Sequence, residues 1–101
     1  MNEITLDHIR EAALWAAAEH QGPLAGVQRV YNQTCWDCGT ACCIWGAANL
    51  LAGNGPVCGG PSWEWAKMSP KRTLIARLLA SGYTTPEQIL RYLDEDVVCG
   101  I

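Results

Sequence analysis

Thr40-Ala41-Cys42-Cys43-Ile44-Trp45-Gly46-Ala47-Ala48-Asn49-Leu50-Leu51 runs for three turns' worth of chain without a charged residue. Ala41, Ile44, Ala48 and Leu51 recur at helical spacing and make one stripe; Cys43, Ala47 and Leu50 make the stripe beside it. A helix apolar on adjacent stripes has little face to offer water. It is therefore expected to be central and buried, with the other elements around it. Gly53-Asn54-Gly55-Pro56 stops it.

Downstream, residues 53–61 form a Gly/Pro-rich loop with Cys58 in its middle, and Ser62 to Met68 has room for one short helical turn. Ser69 followed by Pro70 is a helix start, a capping side chain and then proline at the first helical position. Leu74, Ile75, Leu78 and Leu79 give that helix its core face, and Ser81-Gly82 ends it. Thr85-Pro86-Glu87-Gln88 repeats the start signal with the spacing of a capping box, and Ile89, Leu90 and Leu93 face inward. Asp94-Glu95-Asp96 then puts three acids where the helix dipole disfavours them, so fraying is expected there, with 97–101 as a tail.

Upstream, Thr5 or Asp7 can cap a first helix that runs to about Gln21. Leu6, Ile9, Ala13, Ala16 or Ala17, and His20 lie on its inner face. Trp15 falls off that stripe. Leu24 to Asn32 reads as a second, shorter helix with Leu24, Val27 and Tyr31 on one side. No strand alternation or internal repeat stands out. The expected fold is all-α, a single compact bundle of about five short helices forming one domain over residues 1–101.

Composition fits that size. Half of the 101 residues are apolar and 17% are charged, the balance of a globular chain able to bury one core. Phenylalanine is absent and five tryptophans replace it, which suits indoles packed against close-approaching, alanine-rich helices. A net charge of −3 argues against general nucleic-acid binding. The two helices over 74–93 have helix-turn-helix length. However, Glu87 and Asp94 at the entry and exit of the would-be recognition helix would repel phosphate. No apolar run reaches membrane-spanning length. The first ten residues carry acids and lack the basic start and apolar run of a secretory signal, so a cytoplasmic chain with reduced thiols is expected.

The cysteines hold the densest chemistry. Cys35, Cys38 and Cys42 are spaced so that, on a helix, three sulfurs share a face, and Cys58, Cys43, Cys99 or a histidine could complete a tetrahedral zinc site. The second ligand pair usual in zinc modules is missing, and buried free thiols are the plainer reading, so no cofactor is expected, with zinc the alternative. Cys35-Trp36-Asp37-Cys38 has the redox C-x-x-C form without the βαβ context in which it works. His8 and His20, twelve residues apart, read as surface or boundary imidazoles.

Asp37-Cys38-Gly39-Thr40-Ala41-Cys42 resembles the nucleophile segment of bacteriocin-processing cysteine peptidases. That resemblance implies Cys38 as nucleophile and Gln33 as the oxyanion-hole amide. Such an enzyme also needs a histidine base downstream, and no histidine follows residue 20. Cys38-Gly39-Thr40-x-x-Cys43-Ile44-x-Gly46-Ala47 with Leu51-Ala52-Gly53 is similar to small bacterial and phage-type proteins of unassigned function. It implies a packing motif, with Gly39 for a turn and Gly46 for close approach of a neighbouring element.

Trp36, Trp45, Trp63, Trp65 and Tyr83 are more aromatic surface than a core of this size requires. Trp63 and Trp65 are two residues apart, so a helix cannot turn both inward. An exposed indole beside cations is the composition of a protein-binding hot spot. The expected function is a protein-binding accessory factor, an inhibitor or adaptor without catalysis, using Trp63, Trp65, Lys67, Lys71 and Arg72. Its partner is another protein; nucleic acid and membrane are not expected. The alternatives are a zinc protein on Cys35, Cys38, Cys42 and Cys58, and a Cys38 enzyme with Gln33.

Overall fold

The computed structural model describes residues 2–18, 22–24, 26, 28–34, 36, 41–55, 57 and 59–94. Among them are five helices and one pair of two-residue strands: α1 (Leu6–Ala17), β1 (Val30–Tyr31), β2 (Ala41–Cys42), α2 (Ile44–Leu51), α3 (Trp63–Ala66), α4 (Pro70–Leu79) and α5 (Pro86–Asp94). The protein is mostly helical, but the all-α expectation needs a correction in the first half.

Helix α1 starts at Thr5, whose hydroxyl accepts from the His8 N–H (3.3 Å) while His8 Nδ1 accepts from the Thr5 N–H (3.0 Å). This is a capping box in which an imidazole stands where glutamate or glutamine is usual. Ile9, Ala12, Ala13 and Ala16 form its buried face, and the helix stops at Ala17, short of the expected Gln21. Trp15, off the stripe, is half-buried and donates its indole N–H to the Gly22 carbonyl (3.0 Å).

The helix expected over 24–32 does not form in its described part. Val30–Tyr31 is instead a strand, paired in parallel with Ala41–Cys42 in the register Val30 to Ala41 and Tyr31 to Cys42. The Asn32 N–H extends the ladder to the Cys42 carbonyl (2.9 Å). Gly26, at φ +80°, breaks any helical path through the segment. The central helix accordingly begins later than read from the sequence, at Ile44 with Cys43 as its N-cap, because Ala41 and Cys42 belong to the strand.

Helix α2 is central as expected: every residue from Cys42 to Leu50 is buried. It packs on α1, which also carries α5, while α4 bridges α3 and α5. Its end is a Schellman motif, with Gly53 N–H to Leu50 carbonyl (3.1 Å), Asn54 N–H to Asn49 carbonyl (2.9 Å), and Gly53 in the left-handed region at φ +83°. Gly46 lies against the Trp36 backbone. A Cβ added there would sit 1.9 Å from the Trp36 carbonyl oxygen. The close approach expected at Gly46 is thus made by loop backbone.

The second half follows its local signals. Ser69 caps α4 through the Arg72 N–H (3.1 Å), and Thr85 and Gln88 form a reciprocal capping box at α5. Ile75, Leu79, Ile89 and Leu93 are buried. At the C-terminal end of α5, Lys71 Nζ donates to the Leu93 carbonyl (2.9 Å) and Arg10 pairs with Asp94, both set against the negative end of the dipole. Residues 95–101, including the expected tail and Cys99, lie outside the described residues. No described helix is long and apolar enough to cross a membrane.

Candidate functional site

Helix α3 is a single turn, too short to persist alone. Three contacts hold it. Ser62 caps it through the Trp65 N–H (3.2 Å), Thr73 Oγ1 on α4 donates to the Ala66 carbonyl (2.8 Å), and Trp65 is driven into the core. The Trp65 indole meets Trp45 edge-on with ring centroids 5.0 Å apart, and its Nε1–H donates to the Ile4 carbonyl (2.7 Å). Arg72 covers the outer face of the ring, with Cζ 5.0 Å from the centroid, and bonds Glu3 (3.3 Å).

With Trp65 inside, Trp63 is turned out and stays 69% exposed. Beside it an open groove of about 350 Å³ runs between α3 and α4, walled by Pro61, Trp63, Ala66, Ala76, Arg77 and Ala80. The floor is small and apolar, one wall is an indole, and another is a guanidinium.

The five residues read from the sequence as binding residues therefore divide. Trp63 and Lys67 are exposed on α3 and its cap, where Lys67 shares a 3.0 Å ion pair with Glu64. Trp65 is only 7% exposed and is a core residue. Lys71 and Arg72 bond the protein's own Leu93 carbonyl and Glu3 carboxylate. Arg77, Ala76 and Ala80 line the groove but are not among those five. Their signal was present: on α4 they flank the Ile75–Leu79 core face at spacings of three and four, so small side chains there mark a shallow face beside the core.

Two other sites have chemistry. Gln33 Nε2 donates to the Leu79 and Ser81 carbonyls (3.3 and 2.9 Å), and its Oε1 accepts from the Tyr31 hydroxyl (2.9 Å). Its amide thus closes the C-terminal end of α4, with its donors directed at backbone. Burial pushes the Tyr31 phenol up to about 12 from its ordinary 10.0, with Cys43 and then Glu87 adding to the rise. Under the N-terminal segment, a hollow of about 230 Å³ touches Ile4, Trp45, Asn49, Asn54, Trp65 and Met68. Its amides bond one another and the chain: Asn54 Nδ2 reaches Asn49 Oδ1 (3.1 Å) and the Asn2 carbonyl (2.9 Å), and Asn49 Nδ2 reaches the Trp45 carbonyl (2.9 Å). It is the seam that fastens the N-terminal segment to the end of α2.

Cys42 and Cys43 are fully buried. Cys35, Cys38, Cys58 and His20, on which the zinc and nucleophile readings depend, lie outside the described residues. Among the described residues no three His, Cys, Asp or Glu side chains gather as a metal site.

Comparison with known proteins returns no match to a family model, a curated protein or a solved structure.

Proposed function

We propose that this protein is a small cytoplasmic protein-binding accessory factor, an inhibitor or adaptor of bacterial or phage type, that acts through the α3–α4 groove and without catalysis. One observation carries the reading: a 69%-exposed indole, Trp63, stands at the edge of an apolar groove on a helix fixed from behind by Trp65. A tryptophan left in water on a rigid turn is the composition of an interface anchor. Tyr83 is 96% exposed but sits on the turn between α4 and α5, outside the groove, and so serves as the control.

The test is a pull-down from the source cells with wild type, Trp63→Ala and Tyr83→Ala, each checked for unchanged unfolding. The reading expects one partner that Trp63→Ala loses, with a drop of at least roughly 30-fold for a hot-spot residue, and that Tyr83→Ala keeps. Equal capture by wild type and Trp63→Ala would overturn it.

A further inference from the structure

Charge is unevenly placed along this acidic chain. Residues 61–80 hold four of its seven lysines and arginines and only one of its ten acids, Glu64. Two of the four cations, Lys71 and Arg72, face the protein's own carbonyl and carboxylate groups. Of the other two, Arg77 lines the groove, and Lys67 is the C-cap of α3, next in sequence to the groove residue Ala66. The Arg77 guanidinium lines the groove and makes no hydrogen bond or ion pair with any described residue. Among the described residues the Lys67 ammonium is held only by the exposed Glu64 pair, which an incoming carboxylate can replace at little cost.

Resting on the reading that this groove is the binding surface, we propose that its occupant is an acidic peptide segment of another protein with one bulky apolar side chain. The apolar side chain seats against Trp63 and over Ala66, Ala76 and Ala80. The neighbouring carboxylates meet Arg77, whose planar fork matches a carboxylate in bidentate fashion, and Lys67. The size agrees. About 350 Å³ is at the small end of ligand pockets, which suits one anchor side chain and not a whole helix.

A single nucleic-acid strand is the less fitting occupant. Such sites stack successive bases on several aromatic faces along a basic channel. Here the second indole is buried under Arg72, and Glu64 sits on the same turn. A second copy of the chain would bring the same basic face to the contact and would have to offer an acidic one from elsewhere.

A phage-displayed random dodecapeptide library, panned on the wild-type protein and counter-selected on Trp63→Ala, tests this directly. Enriched peptides are expected to carry Trp, Phe or Leu with Asp or Glu beside it. A synthetic member, followed by fluorescence anisotropy, should bind at least roughly 10-fold more weakly to Trp63→Ala and to Arg77→Glu. Its affinity should also fall severalfold between about 50 mM and about 500 mM salt. Both side chains are exposed, so the variants should unfold like wild type.

Peptides that depend on Trp63 but show no acidic excess, or that bind Arg77→Glu equally well, would overturn the acidic occupant and leave the binding surface standing. A library with no Trp63-dependent peptide would overturn both. Tighter binding of a labelled single-stranded oligonucleotide than of any peptide, or a dimer in sedimentation that Trp63→Ala dissociates, would replace the occupant with nucleic acid or a second copy.

Discussion

Replacing Gly46 by alanine puts a methyl group where the Trp36 carbonyl already is. The added Cβ would lie 1.9 Å from that oxygen, 3.0 Å from its carbon and 3.0 Å from the Cys42 Cβ. Carbon and carbonyl oxygen ordinarily approach no closer than about 3.3 Å, so the two must separate by more than an ångström. Trp36 has little room to retreat. The Trp36 ring lies over Gly60, where an added Cβ would fall 2.8 Å from a ring carbon, and Cys43 Sγ lies 4.0 Å from the same carbonyl. Overpacking of this kind costs about 1–3 kcal/mol, and a contact this short belongs at the upper end. Alanine's better helix propensity returns about 1 kcal/mol. The expected net loss is about 2 kcal/mol, read as a urea midpoint lowered by roughly 1–2 M in tryptophan fluorescence.

Gly22 is the internal control. A Cβ there meets nothing within 4 Å, so Gly22→Ala should leave the midpoint unchanged or slightly raised. A Gly46→Ala midpoint equal to wild type or higher would rule the clash out, since helix propensity alone would then decide the site. The Trp36 carbonyl could not be seated against α2.

Three further outcomes follow from named contacts. Trp65→Phe keeps an aromatic ring but strands the Ile4 carbonyl and weakens the Arg72 stack; it should cost about 2–4 kcal/mol in urea unfolding, and a loss below about 0.5 kcal/mol would contradict the contact. Ser69→Ala removes the α4 cap and should cost about 1 kcal/mol by the same measurement, with no loss if the Arg72 N–H finds water instead. Because the Tyr31 phenol titrates near 12 in the fold and near 10 when unfolded, the unfolded chain releases that proton first as pH rises. Its stabilisation is complete below pH 10 and is lost between about 10 and 12. Solvent reaching the half-buried ring trims the full linkage value to about 1 kcal/mol. Unfolding midpoints of wild type and Tyr31→Phe should therefore diverge from their neutral-pH offset above pH 10, and parallel curves would reject the assignment.

The second half of the fold was legible because its signals are local. Ser69-Pro70 and Thr85-x-x-Gln88 form their cap bonds within three residues, so the sequence contains both partners side by side. The burial of α2 was legible too, since a helix without a polar face admits one environment. The segment over 24–32 was not. Leu24, Val27 and Tyr31 fit a helical stripe, but what decides Val30 and Tyr31 is a ladder to Ala41 and Cys42, and pairing information lies in the partner strand. At α3, the spacing of Trp63 and Trp65 announced that the two indoles face opposite ways. Which one turns inward depends on the Ile4 carbonyl and on Trp45, far away in sequence, so the burial of Trp65 is not legible in its own segment. His8 carries no recognisable capping-box signal in the sequence, because its role is usually filled by a carboxylate or amide.

That division of labour on α3 links stability to the proposed binding. A one-turn helix has no persistence of its own, so the direction of Trp63 is set by how firmly Trp65, Ser62 and Thr73 hold the turn. An anchor already fixed in its bound orientation avoids the ordering cost that a flexible one meets on association. The two indoles should consequently separate in experiment. Trp63→Ala removes contact area and should weaken partner binding with little change in unfolding. Trp65→Phe touches no groove wall, yet by loosening the turn it should weaken both. If Trp65→Phe lowered stability and left partner affinity intact, Trp63 would hold its orientation without the core behind it, and fold and surface would not be coupled.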